Sequence, residues 1–361
     1  MTPIRTSDFN YTLPDSLIAQ KPLPVRDQSR LLVLNRGSGE ISHRKFSDLL
    51  ELLRPGDVLV LNNSRVVPAR LRGVNGKTGG AFEILLLEEN ALNDWWVMLR
   101  PGRRARMGTR IIFKNGNGKL TSVTATVVEK NSEGHRQLQF AGTSNIADDL
   151  PTLGEVPLPP YIVRGAKEDL LEDDERYQTV YAETNGSIAA PTAGLHFTEK
   201  LLEKIRSRGV EICKVTLHVG LGTFAPVKTE HPAEHKMHEE RFAISSDTAK
   251  AINAAKKSGR RVIAVGTTTV RVLESVASQN GGQLVAGRGR TNIFIFPPFT
   301  FRVVEGLLTN FHLPRSTLLM LVSAFAAPGQ IRGREMVLSA YAEAIRQQYR
   351  FYSYGDAMLI I

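Results

Sequence analysis

Three histidines stand where a strand-like run gives way to a turn or a helix: His196 in APTAGLHFT, His218 in TLHVGLGTF and His312 in LLTNFHLPRSTLLMLV. An imidazole titrates near neutral pH, so it can take a proton in one step and return it in another. Alone, each would as readily be a packed or solvated side chain. In an open α/β sheet, however, ligands gather beyond the carboxyl ends of the strands. The shared position predicts one cleft, with His196, His218 and His312 as its candidate acid–base groups.

A fourth strand end, in VIAVGTTTVRVLES, passes into a helix through Gly266-Thr-Thr-Thr269. Backbone N–H groups at such a helix start can hold a phosphate or a carboxylate, with Arg271 one turn in. The competing expectation is an ordinary helix capped by Thr267 or Thr268. The stretch is not a phosphate loop, because the G-x-x-x-x-G-K spacing is absent. Nor is Gly220-Leu-Gly222 a dinucleotide fingerprint, because Ala225-Pro226 follows instead of a third glycine. His231, His235 and His238 would share one face of a helix at a spacing compatible with zinc, but the metalloprotease H-E-x-x-H is missing, and no metal is expected. RPGRRARMGTRIIFK carries six basic residues and no acid. Arg100, Arg103, Arg104, Arg106 and Arg110 therefore predict a phosphate-binding arm, the alternative being a hairpin kept soluble by charge. The six acids of KEDLLEDDER read as a solvated loop.

The elements that must position these groups follow from periodicity. Around His196, Thr198 caps a helix, Phe197 staples onto Leu202, and Leu201, Leu202 and Ile205 form its buried stripe. Arg206 and Arg208 suit its negative end and Gly209 stops it. None of this requires a histidine at position 196. Strands are expected over 58–61, 210–219 and 261–265, and helices over 248–257, from 268 onward and over 335–349. This alternation argues an α/β domain. Between Val66 and Phe140 the period changes to short strand-like runs such as AFEILLLEE, DWWVMLRP and TSVTATVVEK, with no helical stripe. The expected architecture is an α/β catalytic domain from residues 1–65 and 151–361, interrupted by an antiparallel, Greek-key barrel-like all-β domain at 66–150.

With 361 residues, 42% hydrophobic and 23% charged, the chain is long enough for two cores and too apolar for disorder. Cys213 is the only cysteine, which excludes a disulfide framework and a thiolate metal cluster. The longest apolar run, Leu318 to Ala327, is half a bilayer span, and the N-terminus has no apolar signal core, so a cytoplasmic location without membrane contact is expected. A net charge of +10 is compatible with nucleic acid and identifies nothing sharper.

Seven stretches together are more specific: NNSRVVPARL, YQTVYAETNGSIAAPTAGLHF, TLHVGLGTFAPV, HKMHEE, AVGTTTVRVLES, TNFHLPRSTLLMLVSAF and YRFYSYGDAMLI. In order, and from LPDSLIAQKPLP at Leu13 to the C-terminus, they resemble the S-adenosylmethionine:tRNA ribosyltransferase-isomerase family of queuosine biosynthesis. Pro298 stands where that family's glycine is expected, and Ala327-Pro-Gly329 lengthens a turn. The resemblance implies an α/β domain with an inserted β-barrel. It implies no metal, and no cofactor beyond S-adenosylmethionine, which is consumed as a substrate. The reaction it implies transfers and isomerises a ribosyl group onto 7-aminomethyl-7-deazaguanine at the tRNA wobble position, releasing adenine and methionine.

That chemistry gives the histidines work. A sulfonium acidifies the adjacent C5′ hydrogens, so a base is needed there, and adenine needs a proton to leave. On the substrate side the matched stretches put Asn63, Arg65, Tyr177, Thr192, Gly194, Gly266, Thr268, Thr269 and Arg271. The Gly266 helix start is expected to hold the methionine carboxylate. Tyr177, Phe224 and Phe311 are candidates to stack on the splayed base. The partners expected are tRNA and S-adenosylmethionine, with the protein a monomer. A zinc hydrolase using the His231 group and a noncatalytic RNA-binding module are the competing classes.

Overall fold

In the strand Val58–Asn62 every residue is buried, and successive side chains enter different cores. Val58 and Val60 join one hydrophobic cluster, Leu59 and Leu61 the other, as a period of two requires of a strand covered on both faces. The computed structural model describes residues 4–164, 167–220 and 227–361. Its main sheet has nine strands. Strands Glu211–Leu217, Val58–Asn62, Val262–Val265 and Gly306–Asn310 lie side by side and parallel. Ala357–Ile360 then pairs antiparallel to Gly306–Asn310 and parallel to Arg30–Leu34. The carboxyl ends of four strands thus share an edge with the amino ends of two others.

One face of the sheet is covered by helices Ser246–Lys257, Thr267–Gln279, Thr317–Ala326 and Gly333–Arg346. The other is covered by Glu199–Ser207 together with Phe46, Leu49 and Phe197. Helix Glu199–Ser207 forms as expected, with the Thr198 hydroxyl accepting from the Leu201 N–H at 3.1 Å, a cap worth about 1 kcal/mol. The stripe Leu201, Leu202 and Ile205 is buried. The C-terminal helix ends at Arg346, three residues before the expected Tyr349.

The second sheet is a closed barrel of six antiparallel strands between Arg70 and Ala141, sealed by pairing of Arg70–Asn75 with Arg110–Lys114. Alternate residues such as Phe82, Ile84 and Leu86, or Leu138 and Phe140, fill its interior. Gly73 lies at the seam, where a Cβ would come within 2.7 Å of Ile111 and 2.9 Å of the Ile112 carbonyl, so only glycine lets the barrel close there.

Several local expectations are corrected. A helix at Ile146–Leu153, capped by Asn145, plugs the barrel with Ile146, Leu150 and Leu153, and Gly154–Glu155 adds a strand to it. The expected boundary at residue 150 thus falls within this helix. The acidic run is a helix, Lys167–Arg176, and its Asp173 is buried, accepting from Arg164 and from the Tyr354 hydroxyl at 2.7 Å. A loop was expected because charge alone signals solvent, whereas this carboxylate has a buried guanidinium partner. The His231 segment forms a short 3-10 turn at Pro232–Glu234 followed by strand Glu240–Ile244, so the helical face of three histidines does not exist. The described residues hold no group of three or more His, Cys, Asp or Glu side chains arranged for a metal ion, and no helix long and apolar enough to cross a membrane.

Candidate active site

At the shared edge a narrow cleft opens between the strand ends. Its walls come from Ala190–Ala193, from Gly266–Thr268, from Thr309–Leu313, and from Tyr161, Tyr352 and Ser353. Glycine is required where the floor turns: Gly266 has φ +87° and its N–H donates to the Leu308 carbonyl at 2.7 Å. The helix Thr267–Gln279 begins directly after it, and no side chain caps it. The threonine cap therefore does not form. The Thr269 hydroxyl turns back to the Val265 carbonyl at 2.7 Å, and the Thr268 hydroxyl accepts from Asn62 at 3.3 Å. First-turn N–H groups without a capping side chain thus face the cleft, which is the arrangement that binds an anion.

His196 sits behind the cleft wall. Thr192 donates to Asn310 Oδ1 at 2.8 Å, which turns the Asn310 amide nitrogen toward His196 Nε2 at 3.2 Å. Nε2 therefore accepts, and the proton resides on Nδ1, which donates to the Ser29 hydroxyl at 2.7 Å. Phe46 stacks on the ring at 5.0 Å. Burial, reinforced by the nearby Arg350 and Arg26, lowers the His196 pKa to about 3. It is a neutral imidazole with both nitrogens occupied, suited to fixing Asn310. Gly194 is needed beside it, because a Cβ there would fall 1.9 Å from the Tyr181 hydroxyl.

His312 lines the cleft itself. Its Nε2 meets the Thr309 hydroxyl at 2.8 Å, its backbone N–H donates to Tyr341, and the Tyr11 hydroxyl donates to its carbonyl. Burial alone brings its pKa to about 3. Nδ1 carries no hydrogen bond among the described residues. His218 is not in the cleft wall, because its neighbours Leu217 and Val219 point to one face of the strand and it points to the other. There its Nδ1 meets the Ser64 hydroxyl at 2.9 Å, and its ring lies 2.9 Å from where a Cβ on Gly186 would be. Burial first, and Arg241 second, lower its pKa.

The remaining candidates separate. Thr192, Gly266 and Thr268 line the cleft. Asn63 does not. It bonds Glu183 at 3.0 Å and Thr216 at 2.7 Å on the opposite side of its strand. Asn62, one residue earlier and therefore on the other face, braces the cleft floor through Leu217 and Thr268. Arg65 reaches the Ala182 carbonyl. Arg271 is buried in an ion pair with Glu240, which also accepts the Gly220 N–H at 3.0 Å. Its charge fixes the strand end after His218. Tyr177 and Phe311 are fully buried, Phe311 among Tyr341, Tyr349 and Phe351, so neither ring offers a free face. Phe224 lies outside the described residues. Tyr161 and Tyr352, whose centroids are 4.7 Å apart, line the cleft together with the edge of the buried Phe311 cluster. Tyr352 has φ +70°, and it stands in the YSYGD stretch, whose spacing gave no sign of a site. On the barrel, Arg100, Arg103, Arg104, Arg106 and Arg110 are all exposed.

The model of the family described as queuosine biosynthesis protein matches residues 6–360. A Carboxydothermus hydrogenoformans protein named S-adenosylmethionine:tRNA ribosyltransferase-isomerase is 53% identical over 360 residues, covering 99% of this chain and 100% of that one. A Symbiobacterium thermophilum protein of the same name is 52% identical, with 99% and 100% covered. The crystal structure of S-adenosylmethionine tRNA ribosyltransferase from Thermotoga maritima is 37% identical, covers 98% of this chain and 100% of its own, and superposes with a TM-score of 0.55. Matched from end to end by sequence and by fold, this chain belongs to the queuosine biosynthesis protein family.

Proposed function

We propose that this chain moves and isomerises the ribosyl group of S-adenosylmethionine onto 7-aminomethyl-7-deazaguanine at the tRNA wobble position, giving epoxyqueuosine-tRNA and releasing adenine and methionine. The observation that carries this reading is identity above 50% over the full length of relatives named for that activity. The cleft supports it in detail. The uncapped N–H groups after Gly266 suit the methionine carboxylate of the donor. Tyr161 and Tyr352 line the cleft where a base lifted out of the anticodon loop would enter.

His312 is assigned the proton traffic at the ribose or at the departing adenine, because it lines the cleft with one ring nitrogen uncommitted. His196 is assigned the positioning of Asn310, and His218 the support of the Ser64–Gly186 corner beside Val219. The exposed barrel arginines are assigned to tRNA phosphates, which orient the substrate without entering the chemistry. The working form is a metal-free cytoplasmic monomer that uses S-adenosylmethionine as substrate. Incubating the protein with S-adenosylmethionine and tRNA bearing the precursor base should release adenine and methionine in equal amounts. Absence of both products from folded protein that binds this tRNA would overturn the reading in favour of a noncatalytic RNA-binding module.

A further inference from the structure

Behind His196, on the side away from the cleft, lies a second, small and half-open recess. Three guanidinium groups converge on it: Arg26 from the N-terminal segment, Arg176 from the end of helix Lys167–Arg176, and Arg350 from the segment after the C-terminal helix. Ser29, His196, Ser353 and Tyr354 complete the polar lining, and Ser353 also lines the cleft. Three cations in one small space repel one another, so a carboxylate is the expected neighbour. None is within ion-pair distance among the described residues. Arg26 donates to the Leu195 and Glu175 carbonyls at 3.1 Å, Arg176 to those of Leu23 and Pro24, and Arg350 to those of Lys21 and Tyr354. Asp173 is engaged with Arg164 and Tyr354, and Asp356 with the backbone N–H groups of Arg30 and Arg350, while Asp356 and Glu175 attract Arg350 and Arg26 only from beyond ion-pair distance. The Nε atoms of Arg176 and Arg350 are buried with no hydrogen-bond partner. Buried donors left open among three guanidinium groups without an ion-pair partner mark a place for an anion, and guanidinium forks match oxyanions above all.

We propose that this recess binds a single substrate oxyanion, either a phosphate of the RNA flanking the modified base or, in place of the Gly266 helix start, the carboxylate of the sulfonium donor. Only the source of the oxyanion rests on the function proposed above; the anion site itself does not. Charge brought into the recess would also offset the fields of Arg26 and Arg350 at His196, linking occupancy to the ring that holds Asn310.

The test begins with inorganic phosphate and the full-length protein, with ionic strength held by chloride. Saturable binding by calorimetry is expected, with the Gly355 amide resonance shifting along the same curve because that residue lines the recess. Arg176→Gln and Arg350→Gln, from separate segments, should each weaken phosphate about tenfold, the scale of one charge-assisted hydrogen bond. Lys257→Gln, on the far helix, should bind as wild type. No saturable phosphate binding by the wild-type protein would overturn the proposal without any variant, as would unchanged affinity in a folded Arg350→Gln. Kinetics then separate the sources. A raised KM for tRNA alone assigns a phosphate, a raised KM for S-adenosylmethionine alone assigns the carboxylate, and unchanged values for both overturn the substrate role. Phosphate binding that persists in a protein without turnover would sink the proposed function and leave the anion site standing.

Discussion

Arginine does opposite work in the two halves of this molecule. In the α/β half Arg271 is buried against Glu240, a partner thirty-one residues earlier in the chain, and the pair ties strand Glu240–Ile244 and Gly220 to the helix that forms the cleft floor. In the barrel, Arg100, Arg103, Arg104, Arg106 and Arg110 stand in solvent, and the buried member is Arg136, which donates to the carbonyls of Gly102, Ala105 and Gly134. Arg136 thereby fixes the loop that displays Arg103 and Arg104. Arg271 and Arg136 set backbone geometry, and the five exposed barrel arginines are left with long-range attraction. The first kind resists salt and fails all at once when removed. The second kind is additive and salt-sensitive.

The largest effect that would break this contrast is on stability. Arg271→Ala leaves the Glu240 carboxylate buried without its cation and should cost about 3–5 kcal/mol in denaturant unfolding. A cost below about 1 kcal/mol would mean that the pair is no more than a surface contact.

Next comes turnover. His312→Ala should lower it about 100-fold or more if that ring moves a proton. His196→Ala and Asn310→Ala should each slow the reaction, and the double variant should lose no more than the worse single one, because the two act through one hydrogen bond. Additive losses would give His196 a role of its own in the chemistry.

A smaller effect is expected at the barrel. Replacing Arg103, Arg104 and Arg106 by glutamine should flatten the dependence of log tRNA affinity on log salt by about two to three units, at roughly 0.7–0.9 per phosphate contact. Turnover at saturating tRNA should survive. An unchanged slope would return these residues to the role of a solvated hairpin.

The last effect, small near neutral pH, is a pH dependence. His196 and His312 ionise near 3 in the folded chain and near 6.5 when unfolded. As pH falls the unfolded state takes up these protons first. Their contribution is therefore complete above 6.5 and drains away toward 3, by up to about 1.4 kcal/mol per pH unit for each ring. His312→Gln should make the acid limb of a stability–pH curve shallower by one such increment. Parallel limbs for variant and wild type would contradict the buried neutral ring.

What could be read from the sequence divides along the same line. The strands, the helix after Thr198 and the change of period into the barrel were legible because hydrophobic alternation is local. So was the placement of Thr192, Gly266 and Thr268 at strand ends. The fate of Arg271 was not, since nothing near it announces Glu240. Asn62 and Asn63 differ only in parity: Val58 and Val60 already mark the face on which Asn62 lies, so that distinction could have been drawn. Tyr177 and Phe311 looked like stacking platforms because their type is right, and burial, a property of the whole fold, gave them to the core. The helix Ile146–Leu153 was hidden by Pro151 inside it.

The strand that follows that helix has one more consequence. Gly154 pairs with Leu71, and Glu155 with Arg70, so the chain leaves the barrel one strand spacing, about 5 Å, from where it entered. An excursion of some eighty residues begins and ends at nearly the same point, and a short turn could bridge the gap without stretching the nine-stranded sheet. In modular terms the barrel is a cartridge. It can be exchanged, enlarged or trimmed while the cleft edge keeps its shape, so the surface it displays can diverge independently of the cleft.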